Sequence, residues 1–374
     1  MKVARGLSIV VLSLAVVSGL SALTHAEGAA GAVYTMNNSS NGNRVLVFAR
    51  AADGTLTAAG SFETGGLGTG GGLGNQGALV LDSSERWLFA VNAGSDEISV
   101  FEVEPRGLSL VERVPSDGRR PISLTVHDDL LYVLNAGGAA GDSDNITGFR
   151  LDDDGHLAPI AGSTRPLSAA STGPAQIQFE SGGRVLVVTE KATSRIDSYT
   201  VDEEGMASGP ASFPSPGQTP FGFDSGKRHQ IFVSEAFGGA PGASAVSSFS
   251  VSRDGTLRVI SPSVATRQTA ACWVVVTPDG RFAYASNTGS GTISGYRIAF
   301  DGSLALLQAD GQTANLGPGS APIDMALSVN GRYLFVLNSG TRTISAFRVN
   351  SDGTLLPLAA IGGLTSGTNG LAAR

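Results

Sequence analysis

The sequence predicts an all-β fold, a seven-bladed β-propeller with four antiparallel strands per blade, from three observations. First, one pattern recurs seven times: an apolar run that ends in a polar residue, a loop rich in Gly, Ser and Asp, and a second apolar run, as in Trp87–Val103. Second, neighbouring copies are 43 to 55 residues apart, which is the length of a propeller blade. Third, each copy continues into a turn that contains Gly, and such a turn supplies the positive φ of a tight hairpin.

The polar residue that closes the first run of each copy aligns the seven repeats. It is Asn in five copies and Glu in two, so the two acids break the internal symmetry. These residues are Asn37, Asn92, Asn135, Glu190, Glu235, Asn287 and Asn338. Asn stabilises turns through its own side chain, so we expect the five Asn residues to be structural.

A further short strand precedes each repeat, and a fourth follows each Gly turn. Residues 78–82, 122–126 and 323–327 are examples of the preceding strand. The first repeat has no such strand before Ala32, whereas the chain ends with a similar stretch, Thr368–Arg374. We therefore expect the C-terminus to complete the first blade and close the ring, which leaves no open sheet edge.

The N-terminal segment predicts export. Residues 1–26 contain Lys2 and Arg5, an apolar run and small residues near the end, which is typical of a cleaved secretory signal; a membrane anchor is the alternative. Residues 27–374 then form a single propeller domain, periplasmic or secreted.

Removal of the signal changes the formal net charge from −7 to −9. Nucleic acid and, after cleavage, the membrane are therefore excluded as expected partners. We expect a monomer that acts on a small molecule.

The Gly-rich stretch from Thr64 to Gly77 connects the first two blades. A phosphate-binding loop would lie between a strand and a helix, and no helix is predicted here. The stretch is therefore interpreted as a mobile connection. Insertions at 137–144 and 237–245 lengthen loops of the third and fifth blades on the face where the innermost strands begin. Function in propellers usually gathers at such a face, around the central channel.

The blade motif resembles the seven-bladed lactonase family, which includes 6-phosphogluconolactonases and fungal carboxymuconate-lactonising enzymes, and the wider group of Tyr-Val-Thr-Asn repeat propellers. The likeness rests on motifs such as Phe89–Asn92, Phe282–Asn287 and Leu334–Asn338, and it covers about residues 32 to 374. It implies the propeller fold and lactone chemistry at the channel mouth. The resemblance is more specific for the fold than for the activity, because one fold hosts many functions.

The family's active-site signature is a Gly-Pro-Arg-His opening to a middle blade, followed by Asn-Glu at the end of the next strand. Here that blade reads Gly-Pro-Ala-Gln at 173–176, and Glu190 follows Thr189. The Pro and the Glu match the signature, whereas Ala175 and Gln176 replace the Arg and the His.

Two carboxylates are candidate catalytic groups. Asp324 lies two positions after the Pro that opens an innermost strand, so we expect it at the channel mouth. Burial there would raise its pKa towards general-acid use, while the alternative is a carboxylate that accepts backbone hydrogen bonds. Glu190 is the second candidate. Gln176 and Trp273 occupy the position of Asp324 in other blades and are expected to contact substrate, as is Glu235.

Three arginines on the same face complete the predicted site. Arg119 and Arg120 precede the innermost strand of the third blade, and Arg267 precedes that of the sixth. A guanidinium there would bind a substrate carboxylate or stabilise an oxyanion; the alternative is a solvated loop cation. Cys272, the only cysteine, has no evident histidine partner for nucleophilic catalysis. We expect no cofactor, with an oxygen-rich Ca²⁺ site of Asn, Glu and Asp as the alternative.

The sequence leaves two main functions open, with a metal-dependent hydrolase as a third. In the first, Glu190 or Asp324 activates water to hydrolyse the lactone of a small carboxylated substrate, or protonates carbon in the lactonising direction, while Arg120 or Arg267 stabilises the oxyanion. In the second, the protein is a non-catalytic binding or scaffold propeller for a protein, glycan or surface partner. Replacement of the Arg-His pair and the exported location favour the second.

Overall fold

The computed structural model describes residues 29–374, so the predicted signal peptide lies outside the described residues. These residues form seven antiparallel sheets arranged as the blades of a propeller, as the sequence predicts. No α-helix occurs in residues 29–374; two short 3₁₀ turns, Gly137–Ala140 and Phe237–Gly239, lie in the two predicted insertions.

Four strand positions recur in each blade, counted outward from the channel. The first, innermost strands, in blade order one to seven, are β30 (Asn369–Ala373), β4 (Leu79–Leu81), β8 (Pro121–His127), β13 (Pro174–Phe179), β17 (Pro220–Gly226), β21 (Ala271–Val276) and β26 (Pro322–Leu327). The second strands are β1 (Gly31–Met36), β5 (Trp87–Asn92), β9 (Leu130–Asn135), β14 (Val185–Glu190), β18 (Gln230–Glu235), β22 (Phe282–Asn287) and β27 (Tyr333–Asn338).

The outer strands follow the same order. The third strands are β2 (Arg44–Arg50), β6 (Glu97–Glu104), β10 (Asn145–Leu151), β15 (Arg195–Val201), β19 (Ala245–Val251), β23 (Thr292–Ile298) and β28 (Thr343–Val349). The fourth are β3 (Leu56–Glu63), β7 (Gly107–Pro115), β11 (Leu157–Pro159), β16 (Ala207–Pro214), β20 (Leu257–Ala265), β24 (Leu304–Leu306) and β29 (Leu355–Pro357). Two extra short strands, β12 (Arg165–Pro166) and β25 (Ala314–Asn315), pair with β10 and β23.

The ring is closed by the C-terminal strand, which confirms the prediction. Strand β30 pairs with β1 in an antiparallel register that places Ala373 opposite Val33. The hydroxyl of Thr35 donates to the carbonyl of Gly370 at 2.6 Å. The first blade is thus assembled from both ends of the chain, and its innermost edge is covered.

Tyrosines of the second strands join neighbouring blades. The hydroxyl of Tyr132 donates to the carbonyl of Gly205 at 2.6 Å, and that of Tyr284 donates to the carbonyl of Gly353 at 2.9 Å. Both glycines have positive φ, 81° and 89°, in the turns between the third and fourth strands of the next blade. The repeated Gly turn therefore positions the following blade as well as forming a hairpin.

We call the side of the ring on which the innermost strands begin the upper face. The second strands end there, and the loops that enter and leave them surround the central channel. The upper face therefore brings together loop residues from blades that are far apart in the sequence.

Candidate functional site

The innermost strands surround a cavity of about 230 Å³ in the central channel. Its wall combines apolar side chains with amides and two carboxyl groups, Asp224 and Asp324. No Lys, Arg or His among the described residues lines it. The cavity therefore suits neutral polar molecules and water better than an anion.

Most polar side chains of this wall hold neighbouring blades together. Gln176 Oε1 accepts the N–H of Phe223 at 2.7 Å, and Asp224 Oδ2 accepts the N–H of Val276 at 2.7 Å. In both pairs, a side chain on one innermost strand accepts a main-chain bond from the next blade. These oxygens are already engaged, which leaves them little capacity to bind a ligand.

Asp324 differs from Gln176 and Asp224 because the main-chain hydrogen bond that its side chain accepts comes from its own strand. It is 3% exposed, and its Oδ1 accepts the N–H of Met325 at 2.8 Å. Burial raises the pKa of this carboxyl group well above its usual value, while the N–H groups of Met325 and Leu371 oppose the rise. A neutral Asp324 can donate its O–H into the cavity.

The Gly-rich connection covers the upper end of the channel. Its last part, Leu73–Gly77, crosses to blades three and six: the Asn75 amide donates to the carbonyl of Ile122, and the Asn75 carbonyl accepts the indole N–H of Trp273 at 2.7 Å. Gln76 makes two bonds with the main chain of Val274 and also lines the cavity. The expected mobile connection is therefore packed at this end, and we call Leu73–Gly77 the strap.

Lys191 lies beneath the strap at the end of β14. Its ammonium donates to the carbonyl of Gly74 at 2.6 Å and to the carbonyl of Pro174 at 2.7 Å. The Nζ atom is 4.8 Å from the ring centroid of Phe221, which packs 4.9 Å from Trp273. Burial lowers the pKa of Lys191 to about 8.

Arg120 supplies a second cation near this amine. It has a positive φ of 55°, and its own N–H donates to Asp96 Oδ1 at 2.7 Å. Its Nε is buried and has no hydrogen-bond partner among the described residues. Repulsion from Arg120 contributes to the lowered pKa of Lys191. Two cations thus lie near one another at the channel mouth, and the guanidinium has unused donors.

Glu190 is fully buried between blades three and four. Its carboxylate accepts the N–H of Ser168 at 3.0 Å and the hydroxyls of Ser168 and Thr193, each at 2.5 Å. Asp197 Oδ2 accepts the same Ser168 N–H at 2.9 Å. Burial, together with Glu190, raises the pKa of Asp197 to about 7, so about half of Asp197 is protonated at neutral pH and its O–H can donate to Glu190.

Residues 29–171 and 163–362 match the family described as "Lactonase, 7-bladed beta-propeller". The chain belongs to the seven-bladed β-propeller lactonase family. This confirms the resemblance inferred from the blade motifs. No protein of curated function matches the sequence.

Solved structures resemble this lactonase-family propeller along most of its length. The periplasmic gluconolactonase PpgL of Pseudomonas aeruginosa is 17% identical with a TM-score of 0.71, and the match covers 91% of this chain and 98% of that one. A protein from Lactobacillus plantarum is also 17% identical with a TM-score of 0.71, covering 92% and 99%. Virginiamycin B lyase from Staphylococcus aureus is 12% identical with a TM-score of 0.54, covering 79% and 86%. At these identities the likeness shows the fold alone.

Glu235 lies away from the cavity of the lactonase-family ring. It is fully buried and accepts bonds from the N–H of Gly217 at 2.9 Å and from the hydroxyls of Ser247 and Ser263, each at 2.6 Å. Asn92, at the same position of blade two, donates its amide N–H to Ser99 Oγ at 2.7 Å and accepts the amide N–H of Asn43, from the loop before β2, at 3.0 Å. Acid and amide both anchor loops at this position.

Of the other predicted site residues, some lie at the channel and others are exposed to solvent. Trp273 lies at the mouth with Arg120, and Gln176 lines the cavity with Asp324. Arg119 is exposed and forms an ion pair with Asp142 at 2.8 Å, and Arg267 is an exposed loop residue. Sequence reasoning missed Lys191, although its place directly after Glu190, where a blade strand ends at the mouth, was a usable signal.

Two further observations concern residues 29–374. No three His, Cys, Asp or Glu side chains in this range converge as ligands for a metal ion. No helix in the same range has the length and hydropathy of a membrane span.

Proposed function

We propose that this protein is an exported lactonase that hydrolyses the lactone of a small carboxylated acid at the upper face of the channel. The observation that carries the proposal is the guanidinium of the half-buried Arg120, whose buried Nε has no partner among the described residues. A buried cationic donor without a partner is costly, and a substrate carboxylate would satisfy it with charge-assisted bonds.

The surroundings of Arg120 suit such a substrate. Lys191 adds positive charge, and the rings of Phe221 and Trp273 offer an apolar wall for a lactone ring. Donors of this kind also stabilise the negative charge that develops on the lactone oxygen when water attacks. The strap carbonyl of Gly74 bonds Lys191, so the strap forms one wall of the proposed substrate site.

Glu190 and Asp324 are the two catalytic groups that the sequence predicts, and their roles are tested separately. Asp324 has the raised pKa of a general acid but lies on the cavity wall, together with Gln76 of the strap. Glu190 adjoins Lys191 in sequence but shares its bonds with Ser168, Thr193 and Asp197. The variants Glu190→Gln and Asp324→Asn distinguish the two roles, because loss of rate is expected only for the group that exchanges a proton with substrate or water.

The N-terminal sequence supports export. Residues 1–26 have the charge, the apolar run and the small residues of a signal peptide, and a similar propeller from P. aeruginosa is described as periplasmic. The substrate would then be a lactone present outside the cytoplasm.

The covered mouth favours a second candidate, a non-catalytic binding propeller. The strap bonds to blades three, four and six, so it covers part of the upper face above Lys191. A scaffold would use the loops as a continuous surface for its partner.

A matched pair of substrates separates the two functions. The mature chain, residues 27–374, is tested for hydrolysis of glucono-1,5-lactone and of a glucaric acid lactone, which carries a carboxylate. We expect preference for the carboxylated ring, and Arg120→Met should remove that preference with a loss of about 10²-fold or more in kcat/KM. The exposed neighbour Arg119→Met is the control and should retain activity. No hydrolysis of either lactone by the wild type would contradict the lactonase proposal and favour the scaffold.

A further inference from the structure

The two hydrogen bonds of Lys191 match the donors of a neutral amine. An ammonium has three N–H donors, whereas the neutral amine has two and a lone pair. The carbonyls of Gly74 and Pro174 accept two bonds, at 2.6 and 2.7 Å. The neutral form is thus fully satisfied as a donor, and its lone pair is left for another partner.

The groups around Lys191 disfavour its charge more than they favour it. Burial is the largest cause, and Arg120 from the loop before β8 adds repulsion. Asp144, before β10, and Cys272 on β21 act in the opposite direction. Asp144 already accepts bonds from the N–H groups of Gly138 and Thr172, and burial raises the pKa of the Cys272 thiol to about 11, so it stays protonated.

The amine also lies where a substrate would bind. It is partly exposed at the channel mouth, near Arg120 and beside the aromatic pair of Phe221 and Trp273. With its pKa lowered to about 8, roughly a tenth of the amine is neutral at pH 7. A lysine tuned in this way can accept a proton near neutral pH.

We propose that Lys191 is the general base of the lactonase reaction, a role that rests on the proposed function. Its lone pair takes a proton from water as the water oxygen bonds to the lactone carbonyl carbon. The carbonyl electrons move to the oxygen, beside Arg120. When the tetrahedral intermediate collapses, the ring C–O bond breaks and the leaving alkoxide takes the proton from the Lys191 ammonium. The product is a hydroxy acid, and no other reactant is needed.

The test compares wild type with Lys191→Arg and Lys191→Met, using the carboxylated lactone over a range of pH. Wild-type kcat/KM should rise with pH, and the midpoint of this rise should lie near pH 8. Lys191→Arg keeps the positive charge but cannot lose its proton, so KM should change little while kcat falls by about 10²-fold or more. Arg342→Met, an exposed cation in a loop of the same face that is not part of the predicted site, is the control and should match the wild type.

A chemical variant adds a readout that a structural role would not move. Lys191→Cys is alkylated with bromoethylamine in a Cys272→Ala background, which rebuilds the side chain with a sulfur that lowers the pKa of the amine. Activity should return, with its rising limb at lower pH than that of the wild type.

The outcomes separate the two proposals. If the wild type hydrolyses lactones and Lys191→Arg keeps the same kcat and pH profile, Lys191 is not the base and the lactonase function stands. If the wild type hydrolyses none, both proposals are wrong. Melting curves of each variant must match the wild type, so that lost activity is not lost folding.

Discussion

The buried carboxyl pair of Glu190 and Asp197 makes a prediction about stability and pH. The two side chains share the N–H of Ser168, and both are fully buried. The pKa of Asp197 is raised from its ordinary value of 3.8 to about 7. Replacement by Asn keeps the shape of the side chain and supplies an N–H donor to Glu190 in place of the shared proton.

The sign follows from the direction of the shift. A carboxyl group with a raised pKa in the folded state favours folding below its unfolded pKa, and this contribution is lost as the pH rises through about 7. The full shift corresponds to about 4 kcal/mol, and about 3 kcal/mol of it is lost between pH 5 and pH 8. Because Asp197 is fully buried, solvent does not screen this contribution strongly.

Urea unfolding at the two pH values measures the effect. Relative to wild type, Asp197→Asn should gain up to about 3 kcal/mol in unfolding free energy on going from pH 5 to pH 8. Asp153→Asn, an exposed acid, is the control and should follow the wild type at both values. An equal difference between Asp197→Asn and wild type at pH 5 and pH 8 would refute the shared proton.

Three further perturbations test the ring and its cover. Deletion of residues 369–374 removes the innermost strand of blade one, so the cooperative unfolding transition seen by circular dichroism should be lost; a transition like that of the full chain would contradict closure by the tail. Tyr132→Phe leaves the carbonyl of Gly205 without its donor and should lower the unfolding free energy by about 1–2 kcal/mol in urea, whereas no change would mean that this bond does not join the blades. Trp273→Phe removes the indole bond to Asn75 and should speed proteolytic cleavage within the Gly-rich connection; equal cleavage rates would show that the strap does not depend on this bond.

The sequence predicted the ring well because the ring is built from repeated local signals. The Gly turns and the apolar runs make the same contacts in successive blades, as the bonds of Tyr132 and Tyr284 to Gly turns of the next blade illustrate. The C-terminal stretch could be assigned because it resembles the innermost strands of other blades. Composition could not show that Leu73–Gly77 crosses the channel, because its contacts with Trp273 and Val274 lie almost 200 residues away. A high glycine content indicates only that the backbone of an isolated segment is flexible. The hydrogen bonds of Asn75 and Gln76, which lie between the glycines, decide where the segment packs.

The site was harder to predict because a residue that departs from the repeated pattern can either anchor a loop or bind substrate. Glu190 and Glu235 both depart from the repeated Asn, and in both the structure uses the carboxylate for bonds to neighbouring loops. Periodicity cannot distinguish such a residue from one that binds substrate, since both are exceptions to the same pattern.

The candidate site combines a place at the channel mouth with bonding capacity that the ring leaves unused. Glu235 accepts bonds at both of its oxygens, so its departure from Asn is accounted for by the loop that it anchors. The guanidinium Nε of Arg120 is buried without a partner, and the neutral amine of Lys191 would retain a lone pair after both its donors are used. An unused donor and an unused acceptor at one channel mouth are the complementary pair that hydrolysis of a carboxylated lactone needs, one for the substrate carboxylate and one for the proton of the attacking water. For this reason we place the chemistry at Arg120 and Lys191.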